Sequence, residues 1–171
     1  MDAVAEVGKM APDFRLEGVG GETYSLEDAR GKLLVLNFWS TECPWAKKGD
    51  EAIEAMSIEW GEDALLWRIA SNVDESIEEM REVAQERGVG PVLNDEDHAV
   101  ADLYGAVTTP HVYVIDREGV LRYKGAPNDA AFDDPEPDRD YLADALEAAE
   151  RGESPDPPVT DGRGCTIVRH S

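Results

Sequence analysis

Residues 33–45, LLVLNFWSTECPW, join an apolar run to a cysteine that is followed directly by proline. The run Leu33–Trp39 is apolar on both faces, a pattern typical of a parallel strand buried within a sheet. Pro44 suits the first turn of a helix, where its missing N–H removes no hydrogen bond. Apolar residues then recur at helical spacing as far as Trp60. The stretch therefore predicts a buried strand that delivers Cys43 to the N-terminus of a helix.

A thiol at this position is expected to be reactive. The free N–H groups and the dipole of a helix N-terminus stabilise the thiolate, which is the nucleophilic form of cysteine. Lys47 lies one helical turn later and adds positive charge if it faces the thiol, whereas Glu42 acts in the opposite direction. A free cysteine is often an inert core residue, and this is the alternative for Cys43. Ala46 takes the place of the second cysteine of a Cys-x-x-Cys motif, which excludes a disulfide within this helix.

The rest of the chain alternates between strand and helix patterns. Because parallel strands need helical crossovers, this order predicts a three-layer α/β domain with a central mixed sheet. The expected strands are an N-terminal hairpin at Phe14–Leu16 and Thr23–Leu26, a strand at Ala64–Ala70, and a hairpin of His111–Ile115 and Val120–Lys124 that turns at Gly119. A helix capped by Asp74 is expected to bury Ile77, Met80 and Ala84 and to end at Gly88. A short helix at Asp97–Tyr104 and a helix at Tyr141–Ala149 complete the prediction.

The last twenty residues differ from the rest. They contain three prolines and show no helical period, which predicts an extended C-terminal arm. The sequence is therefore divided into a domain at residues 1–151 and an arm at residues 152–171.

The charge of the chain limits its partners. Its 38 acidic and 16 basic residues give a net charge of −22. Nucleic acids and anionic membranes bind through positive charge, so neither is an expected partner. Five of the basic residues are lysine, a composition that suits either a high-salt cytoplasm or an ordinary acidic protein. Two cysteines and three scattered histidines give no metal-ligand spacing, so neither a metal nor another cofactor is expected.

The distribution of apolar residues bears on location. No apolar run reaches the roughly 18 residues expected of a membrane span. The N-terminus also lacks the basic segment followed by an apolar one that marks a secretory signal. A cytoplasmic location is therefore expected.

A second informative feature is the pair Thr109-Pro110, which precedes the apolar run His111–Ile115. Proline cannot donate a hydrogen bond to a neighbouring strand, so it belongs at the beginning of a strand. The sharper interpretation is a cis peptide bond between Thr109 and Pro110 that brings this backbone beside the thiol.

At these two places the sequence resembles the thioredoxin-like superfamily. The similar group is that of the redoxins, which includes the AhpC/TSA (peroxiredoxin-like) proteins and the bacterial thiol-disulfide oxidoreductases. The resemblance rests on GKMAPDFRLEGVGGETYSLEDARGKLLVLNFWSTECPW at residues 8–45 and GAVTTPHVYVIDREGVLRYKGAPND at residues 105–129. It covers roughly residues 7 to 150. It implies a thioredoxin fold in which Cys43 is the attacking thiol, and in which Thr109 and Pro110 contact the thiol and the substrate backbone.

The sequence also departs from both subgroups. Thioredoxin-type oxidoreductases carry a cysteine where this chain has Ala46. Peroxiredoxins usually show Pro-x-x-x-Thr/Ser-x-x-Cys, in which Ser40 fits the hydroxyl position but Leu36 replaces the proline. Trp45 follows Cys43-Pro44 and is a candidate wall of an apolar docking surface, although tryptophan is more often a core residue.

The arm supplies a candidate for the missing second thiol. CPWAKK together with a late GCTIVRH resembles a peroxiredoxin-like subgroup that pairs a Cys-Pro helix start with a Gly-Cys near the C-terminus. This resemblance implies that Cys165 is a resolving thiol. The cost of closing the long loop between the cysteines grows only logarithmically with its length, so it does not forbid the pairing. The alternative is a Cys165 on an edge strand far from Cys43, with no role.

Two functions follow from these observations. The first is a thiol-dependent antioxidant enzyme in which Cys43 attacks a peroxide or a disulfide and is released by Cys165 or by an external thiol reductant, either a thioredoxin-like protein or a small thiol. The second is a non-catalytic thioredoxin-like module that docks a protein through the face around Trp45 and Pro110. Fold alone does not separate them, because function lies in the site.

Overall fold

The structure is a computed structural model that describes residues 5–41, 51, 53–54, 60, 64–71, 75–88, 91–95, 98–127, 140–155, 157–160 and 165–167. Cys165 and Thr166 are described by their backbone alone. The strands are β1 Arg15–Gly18, β2 Thr23–Ser25, β3 Leu33–Trp39, β4 Ala64–Ala70, β5 Val92–Asn94, β6 Thr108–Thr109, β7 His111–Ile115, β8 Leu121–Gly125 and β9 Cys165–Thr166. The helices are α1 Ile77–Arg87, α2 Ala99–Tyr104 and α3 Tyr141–Glu150, with a 3₁₀ helix at Leu26–Ala29.

Seven strands form one mixed sheet in the order β2-β1-β5-β4-β3-β7-β8. β3 pairs in parallel with β4 and β4 in parallel with β5, whereas β3 and β7 are antiparallel. All seven residues of β3 are buried, as its apolar pattern predicts. The predicted bounds of β3 and β4 are confirmed, and the predicted N-terminal hairpin is present as β1 and β2.

Helices cover both faces of the sheet, which confirms the predicted three-layer thioredoxin-like α/β fold. On one face, Leu34, Leu36 and Phe38 pack against α2 and the N-terminal segment. On the other face, Leu33 and Val35 pack against α3 and Ile53. Trp39 and Ala70 pack against α1 on that same side. Within the ranges that the structure describes, no helix is long and apolar enough to cross a membrane.

The helix that the sequence places after Pro44 is described at three positions. Glu51, Ile53 and Glu54 are helical, and Ile53 is fully buried. Glu54 pairs with Arg68 of β4, whose side chain is fully buried; Glu54 Oε2 lies 2.5 Å from Arg68 Nη2. This pair ties the described part of the helix to the sheet.

The predicted N-terminus of α1 needs correction. Ser76, and not Asp74, is its N-cap, because the Ser76 hydroxyl accepts the N–H of Glu79. Asp74 itself lies outside the described residues. Ile77 is 43% exposed, because it opens the helix and does not face the sheet; only Met80 and Ala84 of the predicted apolar face are buried. Gly88 ends the helix in the left-handed conformation, as predicted.

Two other boundaries differ from the sequence prediction. β5 was not predicted, because three residues are too few to show a strand period. The short helix over residues 97–104 begins at Ala99, where the buried Asp95 carboxylate accepts the N–H groups of Val100 and Ala101. The hairpin of β7 and β8 turns at Gly119, whose φ is +90°.

The arm packs back onto the domain. Beyond α3, Val159 forms a parallel bridge with Lys124 of β8. The next residue, Thr160, donates its N–H to the Lys124 carbonyl and accepts the N–H of Ala126 through Oγ1. Gly125 has a φ of +145°, and a Cβ built on it would lie 2.1 Å from Thr160 Oγ1. The absence of a side chain at Gly125 therefore permits this close approach.

Candidate functional site

The candidate site lies where β3 ends. Trp39, Ser40 and Thr41 are all buried there, and Cys43 comes two positions after Thr41 in the sequence. Cys43 lies outside the described residues, as do Trp45 and Lys47, so the roles given to these three remain predictions. The structure does describe the groups that hold the chain immediately before Cys43.

A buried carboxylate binds this end of β3. Glu75, which is 8% exposed, accepts the Ser40 hydroxyl through Oε2 at 2.6 Å and the Thr41 N–H through Oε1 at 2.9 Å. Thr41 Oγ1 in turn donates to Glu79 Oε2 at 2.8 Å. Hydrogen bonds to a charged group are stronger than neutral ones, so Glu75 fixes two consecutive residues of the chain that leads to Cys43.

An arginine at the other end of α1 binds the same segment. Arg87 Nη1 donates to the Ser40 carbonyl at 3.1 Å and Nη2 donates to the Thr41 carbonyl at 2.8 Å. Its guanidinium carbon lies 5.3 Å from the ring centre of Trp39, within the range of a cation–π interaction. Trp39, Ser40 and Thr41 are thus held by a carboxylate just before α1 and by a guanidinium at its end.

The sequence interpretation missed Glu75 and Arg87. Glu75 lies 34 and 35 positions from its partners in β3, and Arg87 lies 46 and 47 positions from them. No local pattern connects residues at such distances. The sequence offered one weak signal, which is that Glu75 lies next to the predicted start of a helix. Acidic residues are common at helix starts because they cap the helix, so this signal is not specific.

Thr109 and Pro110 lie at the same end of the sheet as Ser40. The peptide bond between them is cis. Phe38 of β3 pairs with His111 of β7, so Pro110 comes at the position where β3 ends. Thr109 is 1% exposed, and β6 contacts β3. The structure therefore brings three predicted site residues, Ser40, Thr109 and Pro110, to one edge of the sheet.

The arm reaches this same edge. β9 pairs with β6 in an antiparallel register that sets Cys165 opposite Thr109 and Thr166 opposite Thr108. The next residue, Ile167, donates its N–H to the Val107 carbonyl at 3.0 Å and is 3% exposed within the core cluster. The backbone of Cys165 is thus next to the cis-proline pair. Its separation from Cys43 lies outside the described residues, so the resolving role of Cys165 stays a prediction.

His111, which follows the cis-proline pair, is buried. Its ring is 6% exposed and stacks on Tyr113, with ring centres 5.1 Å apart. Its Nδ1 accepts the N–H of Val107 at 3.3 Å, which requires a neutral ring with the proton on the other nitrogen. Burial, followed by the nearby charge of Lys124, lowers the pKa of His111 from 6.5 to about 4. His111 is therefore a neutral hydrogen-bond acceptor at neutral pH.

Among the described residues, no group of three or more His, Cys, Asp and Glu side chains is arranged to hold a metal ion. The described residues bind the end of a buried strand through several charged hydrogen bonds. A cis-proline lies at the same end of the sheet, and the backbone of Cys165 lies beside that proline.

Comparisons with known proteins agree with this geometry. A model of the AhpC/TSA family matches residues 7–124. The thioredoxin-like protein YneN of Bacillus subtilis is 32% identical over 117 residues, which are 67% of this chain and 68% of that protein. The thiol-disulfide oxidoreductase ResA of Bacillus subtilis is 34% identical over 113 residues, which are 66% of this chain and 63% of that protein.

A longer similarity comes from solved structures. The crystal structure of a hypothetical protein of Sinorhizobium meliloti superposes with a TM-score of 0.84 at 28% identity and covers 97% of this chain and 96% of that chain. The curated relatives match only about two thirds of the chain, and the family match ends before the arm. The fold, the site geometry and the sequence similarity thus agree: the chain belongs to the AhpC/TSA family, a thioredoxin-like group of thiol redox proteins.

Proposed function

We propose that the protein is a two-cysteine thiol oxidoreductase in which Cys43 is the nucleophile and Cys165 is the resolving thiol. The observation that carries the proposal is the register of β9, which sets Cys165 opposite Thr109 and next to Pro110. β3 ends at this edge, and the chain needs only two further residues after Thr41 to reach Cys43. A disulfide requires Cα atoms within about 7 Å of each other. The contact of β6 with β3 and the pairing of β9 with β6 support this approach.

The reaction begins with attack by the Cys43 thiolate. With a disulfide, the sulfur of Cys43 bonds to one sulfur of the substrate, and the other sulfur leaves as a thiolate. With a hydroperoxide, the thiolate takes the terminal oxygen, the O–O bond breaks, and the protonated products are a sulfenic acid and an alcohol or water. Cys43 loses two electrons in the peroxide reaction, and the substrate gains them.

Resolution uses the second thiol. Cys165 attacks the sulfur of Cys43, forms a Cys43–Cys165 disulfide, and releases water from the sulfenic acid or the substrate thiol from the mixed disulfide. Two equivalents of an external thiol, from a thioredoxin-like protein or a small thiol, then reduce the disulfide and complete the cycle. Ala46 excludes a disulfide within the helix, and Cys165 is the other cysteine that the chain offers for resolution.

The described side chains position the chain that leads to Cys43 and take no part in the bond-making steps. Glu75 and Arg87 hold Ser40 and Thr41, so the chain that enters the segment of Cys43 has one fixed conformation. A fixed nucleophile needs less ordering during the reaction. A cytoplasmic location remains a prediction and agrees with a cycle that depends on a reduced thiol pool.

The test is to treat the reduced protein with one equivalent of hydrogen peroxide or of glutathione disulfide and to map both cysteines by peptide mass. We expect a Cys43–Cys165 disulfide that disappears on reduction and forms again on a second treatment. The Cys165→Ser variant is expected to stop at a sulfenic acid or a mixed disulfide on Cys43. A Cys43 left unmodified by both oxidants would refute the enzyme and favour the binding module.

A further inference from the structure

The edge of β6 is occupied by the chain itself. β6 has two residues, and β9 pairs with both of them. The pairing extends by one more hydrogen bond, from Ile167 N–H to the Val107 carbonyl. This inference rests on the proposed role of Cys43 and concerns the substrate that the thiol is able to reach.

The arm is fastened on both sides of residues 161–164. Before them, Thr160 Oγ1 lies 2.6 Å from the Tyr123 hydroxyl and accepts the N–H of Ala126 at 2.9 Å. After them, the side chain of Ile167 is buried with Tyr104 and Tyr113 in the main core cluster. A strand that was held only by a two-residue ladder would be easily displaced, because so short a pairing is marginal. These two anchors make β9 part of the folded domain.

Polypeptide and small oxidants place different demands on this edge. An extended peptide gains affinity by adding a strand to an open sheet edge, through backbone hydrogen bonds. On the proposed function, Cys43 acts beside the cis-proline pair, so a polypeptide segment that presents a disulfide to it would lie along β6. β9 already pairs with β6 there. A hydroperoxide or a small disulfide has no extended backbone and needs no strand edge.

We propose that the docked arm restricts Cys43 to small oxidants, namely hydroperoxides and low-molecular-weight disulfides, and excludes disulfides within extended polypeptide segments. The arm thus has two roles at one place: it carries the resolving thiol to the cis-proline edge, and it occupies the edge that a polypeptide substrate needs. The exclusion follows from β9 backbone pairing and is independent of the identity of residue 165.

The test compares two mixed disulfides of 5-thio-2-nitrobenzoate, one with N-acetylcysteine amide and one with an extended decapeptide that contains a single cysteine. Attack by the Cys43 thiolate on the cysteine sulfur breaks the S–S bond and releases the coloured thionitrobenzoate dianion. The leaving group and the reacting bond are the same in both probes, so the probes differ only in the peptide that flanks the cysteine. The measurements use the full chain with Cys165→Ser, which leaves Cys43 as its single thiol.

We expect the small probe to react at least about tenfold faster than the peptide, a difference equivalent to about 1.4 kcal/mol. Ile167→Asp places a charge in the core and detaches β9, and it should bring the two rate constants close together by raising that of the peptide. Gly125→Ala detaches the other anchor, because a Cβ there collides with Thr160, and should act in the same direction. Val159→Thr is the matched control: its side chain is 47% exposed on the same arm, and its ratio should stay unchanged.

Each result decides between the two proposals. Equal rates for both probes in the background protein, or a ratio that stays high in the detached variants, would overturn the exclusion by the arm. Failure of both probes to release the dianion in every variant would instead overturn the role of Cys43. Urea unfolding checks that each variant is folded; if Ile167→Asp does not fold, Gly125→Ala decides the question alone.

Discussion

The two sides of the site are held by different forces. The end of β3 is held by charged side chains, since the Glu75 carboxylate and the Arg87 guanidinium both bind Ser40 and Thr41. The cis-proline side is held by backbone pairing between β6 and β9 and by the buried side chain of Ile167. The segment that leads to Cys43 thus depends on charged hydrogen bonds, whereas the segment that carries Cys165 depends on strand pairing and apolar burial.

This difference separates two properties of the enzyme. Charged hydrogen bonds are strong and directional, so they suit a segment whose geometry has to remain fixed. A short ladder held by an apolar anchor loosens when that anchor is weakened, while the seven-stranded sheet stays folded. Mutations on the β3 side should therefore change the reactivity of Cys43, and mutations on the β6 side should change resolution and access.

The largest expected effect comes from Glu75→Ala. The Ser40 hydroxyl and the Thr41 N–H both lose a charged acceptor in a buried place, which should lower the free energy of unfolding by about 4 kcal/mol. Urea unfolding at pH 7 measures this loss. Glu78→Ala is the control, because Glu78 is an exposed carboxylate three positions later, in the first turn of α1, and should change stability by less than about 0.5 kcal/mol. Equal losses in the two variants would mean that the buried carboxylate does not hold β3.

The next effect is the pH dependence of stability that His111 causes on the β6 side of the site. The pKa of His111 is lowered to about 4, so the folded state favours the neutral ring. Above about pH 6.5 the ring is neutral in the folded and the unfolded chain alike, so the protein has its full stability there. As the pH falls from 6.5 towards 4, the unfolded chain binds the proton first, and about 3 kcal/mol of stability is lost.

The measurement is the free energy of unfolding as a function of pH, compared with His111→Phe. The variant retains an aromatic ring next to Tyr113 but has no titratable group at position 111. Its pH profile should therefore lack this part of the loss. Parallel profiles between pH 4 and 6.5 would show that the histidine is not held neutral in the folded state.

A smaller effect is expected for Arg87→Met, which removes two hydrogen bonds and the contact of the guanidinium with Trp39. We expect a loss of about 2 kcal/mol and a slower reaction of Cys43 with hydrogen peroxide. Arg81→Met is a close control, since Arg81 lies on the same helix and donates two hydrogen bonds to the Val19 carbonyl. That variant should leave the peroxide rate unchanged, and a similar slowing in both would contradict the positioning role of Arg87.

The smallest effect is expected for Ile167→Val. Removal of one buried methylene at the anchor of β9 should lower the free energy of unfolding by about 1 kcal/mol. The rate of peroxide attack should be unchanged, while formation of the Cys43–Cys165 disulfide should slow because β9 detaches more often. Quenched-flow thiol mapping separates the two rates. A change in the first rate alone would show that the two sides are not independent.

The sequence predicted those parts of the molecule that depend on local patterns. β3 and β4 were placed to the residue, because continuous apolar runs and flanking turn residues are local signals. Ser40 and Thr109-Pro110 were placed at one site through the resemblance of two motifs. The missed parts are non-local: Glu75 and Arg87 bind residues that are at least 34 positions away. β6 and β9 have two residues each, too few to show any period.

Val107 connects the histidine to the arm. Its N–H donates to His111 Nδ1, and its carbonyl accepts the N–H of Ile167. We expect protonation of His111 to remove the acceptor of the Val107 N–H and so to weaken the hold of Val107 on the arm. Because linkage is reciprocal, release of the arm would then raise the proton affinity of His111 by the same factor. The expected consequence is proton uptake on release of the arm, as the pH approaches the His111 pKa of about 4.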